Sequence, residues 1–297
     1  MDQQLRVFVT VAEMENFSRA AEKLHMTQPA VSQYIQTFER TMGTKLLERS
    51  NKYVRLNKAG EIVYHHAKEI LGIYTKMNYL IDDLTNKTSG SISIGASYSY
   101  GEYVLPHVIK KMHEQYPLII PTVTIGNTKE IAKLVRKHQL DVGIIEGEIE
   151  DNHLLIEPFA EDAMYVVASP KHRLSKRNGD MNLAELAEET WIVRENGSGT
   201  REITEKMFGS YGLVPKKTLE FGSTQLIKES VEAGLGISLL SWWAIRKECT
   251  IGTMKIIDVK QLPMKREFSV ALRSPFKTKA LNVFLELVKE DKVDHEL

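Results

Sequence analysis

Gln28, Ser32, Gln33, Gln36 and Thr37 place amides and hydroxyls on one side of a short segment. These groups offer donors and acceptors without net charge, the set that pairs with base edges in a major groove. On the other side, Val31, Ile35 and Phe38 are spaced by four and three and give the same helix a face to bury. A helical hairpin with a solvated amide face fits the same pattern. A second group of polar residues sits in four loops much later in the chain. They are Ser97, Tyr98 and Ser99; Asn127 and Thr128; Ser198, Gly199, Thr200 and Arg201; and Thr224 and Gln225. Each loop precedes a helical pattern, where free N–H groups and the helix dipole favour an anion. Each also fits plain helix capping. Gly-Ser-Gly-Thr followed by Arg201 is the most specific of the four, because it joins close backbone approach to a charged fork for carboxylate, sulfate or phosphate. Glu146, ending a strand pattern, would instead select a cation or an amine, or face solvent.

The amide row needs a scaffold, and the flanking residues supply one. Residues 2–14 read as a first helix with Leu5, Phe8, Val9 and Ala12 inward. Ser18 is expected to cap a second helix, striped by Ala20, Ala21 and Leu24. His25 to Pro29 breaks the pattern. Thr27 then caps the third helix, with Pro29 in its first turn. Gly43 suits a left-handed end to it. Lys45 to Leu56 reads as a hairpin with a basic tip at Lys52, a wing in which Arg49 and Arg55 would meet phosphates or a minor groove. Residues 58–87 then form a proline-free helical pattern. Val63, His66, Ile70, Ile73, Met77, Leu80 and Leu84 advance by three and four, a seam that pairs two copies of the chain. His65, His66 and Glu69 at helical spacing lack a further protein ligand for a metal.

Thr88 to Ser91 is a small-residue hinge. After it strands alternate with helices, giving an α/β arrangement with mainly parallel strands. Strands are expected at 91–96, 121–126, 142–146, 154–159, 164–168, 191–194, 217–221, 237–241, 254–258 and 267–272. Helices are expected at 103–115, 128–138, 183–187, 199–211, 224–232, 242–247 and 277–291. Two similar sets, with the end of the chain returning to the first, fit a two-lobed domain.

The chain of 297 residues is 42% hydrophobic and 26% charged, ordinary for a folded protein with two or three domains. The 39 basic and 39 acidic side chains cancel. Residues 1–58 nevertheless hold nine basic and six acidic groups, a local excess that favours phosphate. The single cysteine, Cys249, excludes an internal disulfide; it fits a redox sensor or, since nothing nearby in sequence obviously activates it, a spectator thiol. No secretory pattern opens the sequence, and no apolar run reaches membrane length, so a cytoplasmic protein is expected. Enzymatic signatures are missing: there is no Gly-x-Ser-x-Gly elbow or phosphate-binding loop, and Gly234-Leu235-Gly236 lacks the third glycine of a dinucleotide fingerprint. No cofactor is implied.

The run FSRAAEKLHMTQPAVSQYI, followed by LLERS and LNKAG, resembles the LysR-type transcriptional regulators, most densely over residues 3–65. Gln33-Tyr34 stands where that family often has Arg-Gln, and Leu47 where it often has Phe. The resemblance implies a winged helix-turn-helix DNA-binding domain at 1–58, a dimerising linker helix and hinge at 59–88, and a periplasmic-binding-protein-like effector domain at 89–297. Lobe I would comprise 89–162 and 267–297, and lobe II 163–266. It implies a double-stranded operator, a small-molecule effector between the lobes, self-association as a dimer or tetramer, and RNA polymerase as a further partner. Ser18, Arg19, Ala20, Thr27 and Pro29 join the amide row, Arg49 and Arg55 as the candidate DNA contacts. Similar Gly-Ser-Gly-Thr-Arg runs occur in members that control carbon or sulfur assimilation, which points to an anionic effector. A cytosolic binding protein or enzyme of α/β fold, without DNA reading, is the competing expectation.

Overall fold

A computed structural model describes residues 2–50, 53–82, 90–149, 151–177, 181–273 and 277–290. The chain divides into two compact units, 1–84 and 85–297. In the first unit, helices α1 (Asp2–Met14), α2 (Phe17–Lys23) and α3 (Gln28–Thr41) enclose one core. Phe8 meets Phe38 with ring centroids 5.5 Å apart, and Val7, Val11, Ala20, Val31, Ile35 and Leu46 close around them. Asn16, not Ser18, caps α2. Its Oδ1 accepts the backbone N–H groups of Ser18 at 2.8 Å and Arg19 at 3.0 Å. The helix starts two residues earlier than expected, so Ser18 lies inside it. Thr27 caps α3 as expected, and Gly43 ends the turn after it with φ +69°.

Strands β1 (Leu47–Arg49) and β2 (Val54–Leu56) pair antiparallel as the wing. Its anchor is Glu39, a buried carboxylate that no apolar periodicity predicts. Glu39 Oε1 accepts from the backbone of Leu46 at 3.0 Å, and Oε2 accepts from Lys45 at 3.2 Å and Arg49 at 3.0 Å. Helix α4 (Lys58–Asp82) follows, with Asn57 Oδ1 receiving the Gly60 N–H at 2.8 Å. A Cβ at Gly60 would lie 2.0 Å from the Leu46 carbonyl oxygen, so only glycine lets α4 start against the wing. Val63 is half-buried and packs against the unit's own core, as Leu71 does. Ile70, Ile73 and Met77 stay exposed, joined by Ile62, Tyr74 and Ile81. Leu80 is half-buried. Lys52, Leu84 and the first half of the expected hinge, residues 88–89, lie outside the described residues, while Gly90 and Ser91 open β3.

The second unit alternates strands and helices. Its strands are β3 (Gly90–Ser97), β4 (Ile119–Gly126), β5 (Val142–Glu146), β6 (Leu155–Ala168), β7 (Thr190–Arg194), β8 (Lys217–Phe221), β9 (Ser238–Ser241), β10 (Lys255–Ile256) and β11 (Met264–Leu272). Its helices are α5 (Tyr98–Tyr103), α6 (Leu105–Gln115), α7 (Thr128–Arg136), α8 (Gly199–Ser210), α9 (Thr224–Glu232), α10 (Trp242–Ile251) and α11 (Lys279–Glu290). Short 3-10 turns cover Leu174–Lys176 and Leu183–Glu188. The long sheet runs β10-β6-β11-β5-β3-β4, with β9 also beside β6.

Three expectations change here. Residues 154–168 are not two strands, because β6 runs unbroken through Pro158 and Glu161–Asp162. The helix expected from 103 begins at Tyr98 and is split at Val104. Strands are not mainly parallel: β3-β4, β3-β5 and β7-β8 are, but every pairing of β6 and β11 is antiparallel. Those two long strands carry the chain between two lobes. Phe159 and Phe268 lie in the core with Ile94, Ile144 and Phe284, whereas Met164 and Met264 lie in the core with Trp191, Ile203 and Leu239.

Burial works to raise the Glu39 carboxyl, but its hydrogen bonds to Leu46, Lys45 and Leu47 and the Arg49 charge outweigh burial and hold it below the ordinary 4.5. A carboxyl lowered on folding contributes stability above its unfolded value and loses it as pH falls through the folded value. Glu39→Gln is therefore expected to cost about 1–3 kcal/mol at neutral pH. The variant should also show a flatter loss of stability below pH 4.5. Urea unfolding of this unit across that range checks both.

Candidate functional site

In the first unit, the helix face opposite the core presents the amide row. Gln28, Gln33, Gln36 and Thr37 are exposed and Ser32 is half-buried, while Val31, Ile35 and Phe38 are buried. Gln28 Nε2 donates to Ser32 Oγ at 3.0 Å, one turn along the same face. Ser18, Arg19, Thr27 and Pro29 are exposed. Ala20 is fully buried and is a packing residue, which corrects its place among the DNA contacts. Arg55 is exposed, with its guanidinium 5.3 Å from the Tyr53 ring centroid. Arg49 is held differently from the expectation. Its fork is paired to Glu39 and lies 4.9 Å from the Phe17 ring centroid, so it ties the wing to the helices.

In the second unit, the polar loops converge where β6 and β11 cross between lobes. Arg266 has no exposed side chain, and it faces Asp162 directly in the β6–β11 register. Its Nε donates to Asp162 Oδ2 at 2.8 Å, and its Nη1 to Glu146 Oε2 at 2.6 Å and Thr200 Oγ1 at 3.1 Å. Its Nη2 donates to Ser99 Oγ at 2.9 Å. Glu146 also accepts the Ser99 N–H at 2.9 Å, so it neither faces solvent nor awaits a ligand cation. Asp162 accepts from the Ser241 hydroxyl at 2.8 Å. Burial pushes the Asp162 carboxyl up against the pull of Arg266, whereas Glu146 and Asp162 outweigh burial for Arg266 and keep it charged.

A second buried guanidinium, Arg194, closes the other end of the group. Its Nη1 donates to Thr224 Oγ1 at 2.8 Å, its Nε to Glu195, and the Tyr98 ring centroid lies 4.3 Å away. Asn127 caps α7 and also donates to Glu195 Oε1 at 3.2 Å. Thr128 Oγ1 donates to the Glu146 carbonyl at 3.1 Å. The Lys129 N–H crosses between lobes to the Gly197 carbonyl at 3.1 Å. Ser97 is buried with its hydroxyl unpartnered. Gln225 is exposed and bonds along its own helix to Glu229, away from the others. Arg201 is held by Glu205, Glu220 and the Arg194 carbonyl.

Beside this group a cavity of about 510 Å³ opens between α7 and the start of α8. Thr128, Lys129, Lys133, Ser198, Arg201 and Glu202 are among the residues lining it. Its acids are largely engaged: Asp151 pairs with Arg136, Glu205 with Arg201 and Glu148 with Lys206. Burial pushes the Glu202 carboxyl up. Cys249 is half-buried, and burial, then Glu248, push its thiol up to about 11, which leaves little thiolate at neutral pH. Among the described residues no helix is long and apolar enough to cross a membrane.

Sequence reasoning found Ser99, Glu146, Thr200 and Thr224 but missed the two arginines that collect them. Arg194 ends an apolar strand just before the Asn-Gly-Ser turn, a position that could have singled it out. Arg266 lies in Lys-Arg-Glu and carries no such mark.

Two family models match the chain. One, for the bacterial regulatory helix-turn-helix protein of the lysR family, covers residues 3–61, and the LysR substrate binding domain covers 85–292. The HTH-type transcriptional regulator CysL of Bacillus subtilis is 37% identical over 289 residues, covering 97% of this chain and 96% of that protein. The crystal structure of full-length CbnR complexed with its target DNA superposes with a TM-score of 0.73 at 20% identity, covering 97% of this chain and 99% of CbnR. The Synechocystis CcmR regulatory domain in complex with 2-PG superposes at 0.64 and 24% identity, covering 70% of this chain and 99% of that domain.

Gly199 lets α8 start against β5. A Cβ there would lie 2.3 Å from the Glu146 carbonyl oxygen. Gly199→Ala should therefore force the two lobes apart at a cost of about 1–3 kcal/mol. Hydrogen exchange at the Ser99 and Lys129 amides should accelerate by about tenfold or more. Unchanged exchange would contradict this reading.

Proposed function

The chain belongs to the LysR family of DNA-binding transcriptional regulators with an effector-binding domain, and on that premise we propose how each part serves that role. The exposed amide row of α3 reads operator bases, with Gln33, Gln36 and Thr37 at its centre. Arg19 and Arg55 contact phosphates or the minor groove. Arg49 acts mainly by holding the wing. The observation that carries this reading is that α3 buries Val31, Ile35 and Phe38 and leaves an uncharged donor–acceptor face uncovered. Residues 1–58 form the reading domain and 59–88 the linker.

Two copies pair along α4 through Ile70, Ile73 and Met77, with Leu80, which brings two reading helices to a two-fold site. Their exposure, 51%, 48% and 45%, is large for side chains of this kind on one helix.

The effector domain, 89–297, takes a small anionic metabolite between its lobes. Lys129 and Lys133 line the cavity, and no ion pair engages them among the described residues. The Ser198 hydroxyl opens α8 without capping it. A cavity of this size fits a metabolite-sized ligand. CcmR, of like fold, is bound to 2-PG in its structure, which agrees with a small metabolite. Binding that favours one lobe arrangement over another would shift how the paired reading domains sit on DNA.

The upstream region of the chain's own gene serves as a probe in competition gel shifts. Gln33→Ala is expected to relax base choice at one position by about 1–3 kcal/mol. Arg55→Ala should weaken all sequences alike and lower the salt slope by about one. A footprint without two-fold character, or unchanged preference in Gln33→Ala, would overturn the assignment.

A further inference from the structure

Arg194 ends β7 with a side chain only 1% exposed. A guanidinium that deep must be paired. Its partner is the very next residue. Glu195 accepts from Nε at 2.8 Å and from Nη2 at 2.8 Å, a two-point fork. Neighbours along a strand point to opposite faces, so this pairing requires the chain to fold back at once. The turn does so: the Ser198 N–H donates to the Glu195 carbonyl, and Gly197 takes φ +91°. Burial works to raise the Glu195 carboxyl, but Arg194 outweighs it and holds it below its ordinary value, so the group is a carboxylate.

What surrounds that carboxylate is the cradle a free oxyanion would need. The guanidinium fork gives two parallel donors, and Asn127 Nδ2 of lobe I adds a third at 3.2 Å. The Tyr98 ring and the Thr224 hydroxyl hold the guanidinium in place. We infer that Glu195 is a built-in competitor at the effector cleft: without effector it fills the Arg194 fork, and the carboxylate or phosphate group of an effector binds by exchanging with it. The inference rests on the reading of the cleft as an anion site. Glu195 is the member of the pair that can leave, because its side chain keeps 23% exposure and Asn196, Gly197 and Ser198, which follow it, line the cavity. Its departure releases Asn127 next to the Lys129–Gly197 backbone bond, so filling the fork alters a contact between lobes.

The test is calorimetric titration of the full chain with inorganic phosphate at fixed ionic strength, for wild type, Glu195→Gln, and the double variant Arg194→Lys with Glu195→Gln. A site open only while Glu195 is displaced has its affinity reduced by that open fraction. Glu195→Gln should bind phosphate about tenfold or more tightly than wild type, and the double variant should lose the gain. Equal phosphate affinity in wild type and Glu195→Gln overturns the exchange, as does a gain that survives without the Arg194 fork. Should Glu195→Gln fold poorly, Glu195→Asp retains the charge with a shorter reach and is expected to tighten phosphate binding by a smaller factor; no tightening counts against the exchange. If Glu195→Gln gains phosphate affinity while no anion alters operator binding, the exchange stands and the sensing role of the cleft falls. If anions alter operator binding in wild type and Glu195→Gln gains nothing, the sensing role stands and the exchange falls.

Discussion

One guanidinium, withdrawn from water and shared by two carboxylates, sets the geometry of the effector domain. Arg266 and Asp162 face each other on the two strands that cross between lobes. From there Arg266 reaches Ser99 and Glu146 on one lobe and Thr200 on the other. Burying such a cluster recovers little net stability, because desolvation consumes most of the attraction. Its directional bonds instead specify one lobe arrangement. A different arrangement would leave a buried charge or hydroxyl short of its partner, and that penalty is steep.

The reading domain uses the same device on a smaller scale. Glu39, buried at the end of α3, gathers the backbone of Leu46 and Leu47 with the side chains of Lys45 and Arg49. The wing is thereby fixed to the helix that carries Gln33 and Gln36. In both units a buried charge ties together the elements that carry the residues proposed to face a ligand. Arg194 differs because its partner Glu195 keeps solvent access, so that pair can open where the Arg266 cluster cannot.

Much of this was legible in the sequence. Apolar spacing at Val31, Ile35 and Phe38 placed the buried side of α3, and the strands at 142–146 and 217–221 appear with the expected bounds. What escaped has physical reasons. Asn16 displaced Ser18 as cap because several residue types compete for that role within two positions. The expected gap between the strands at 154–159 and 164–168 closes, because a strand can carry Asp162 through its middle when the facing Arg266 satisfies it. Val63 fits the seam by period, but period alone does not distinguish a face turned to its own core from one turned to another chain. Arg266 was invisible because burial of a charge depends on partners far away in sequence, here 120 residues for Arg266 and Glu146. Glu39 has its partners nearby, at Lys45 to Arg49, but they reach it only because the chain turns back after α3 into the wing.

The claim that Arg266 fixes the lobes is tested most directly by measuring the distance between them. Spin labels at Glu114→Cys in lobe I and Lys247→Cys in lobe II, with Cys249→Ser, report it by pulsed electron resonance. Arg266→Lys keeps the charge and removes the fork, and the account predicts a broadened and shifted distance distribution. A distribution identical to that of the unaltered Arg266 chain would contradict it.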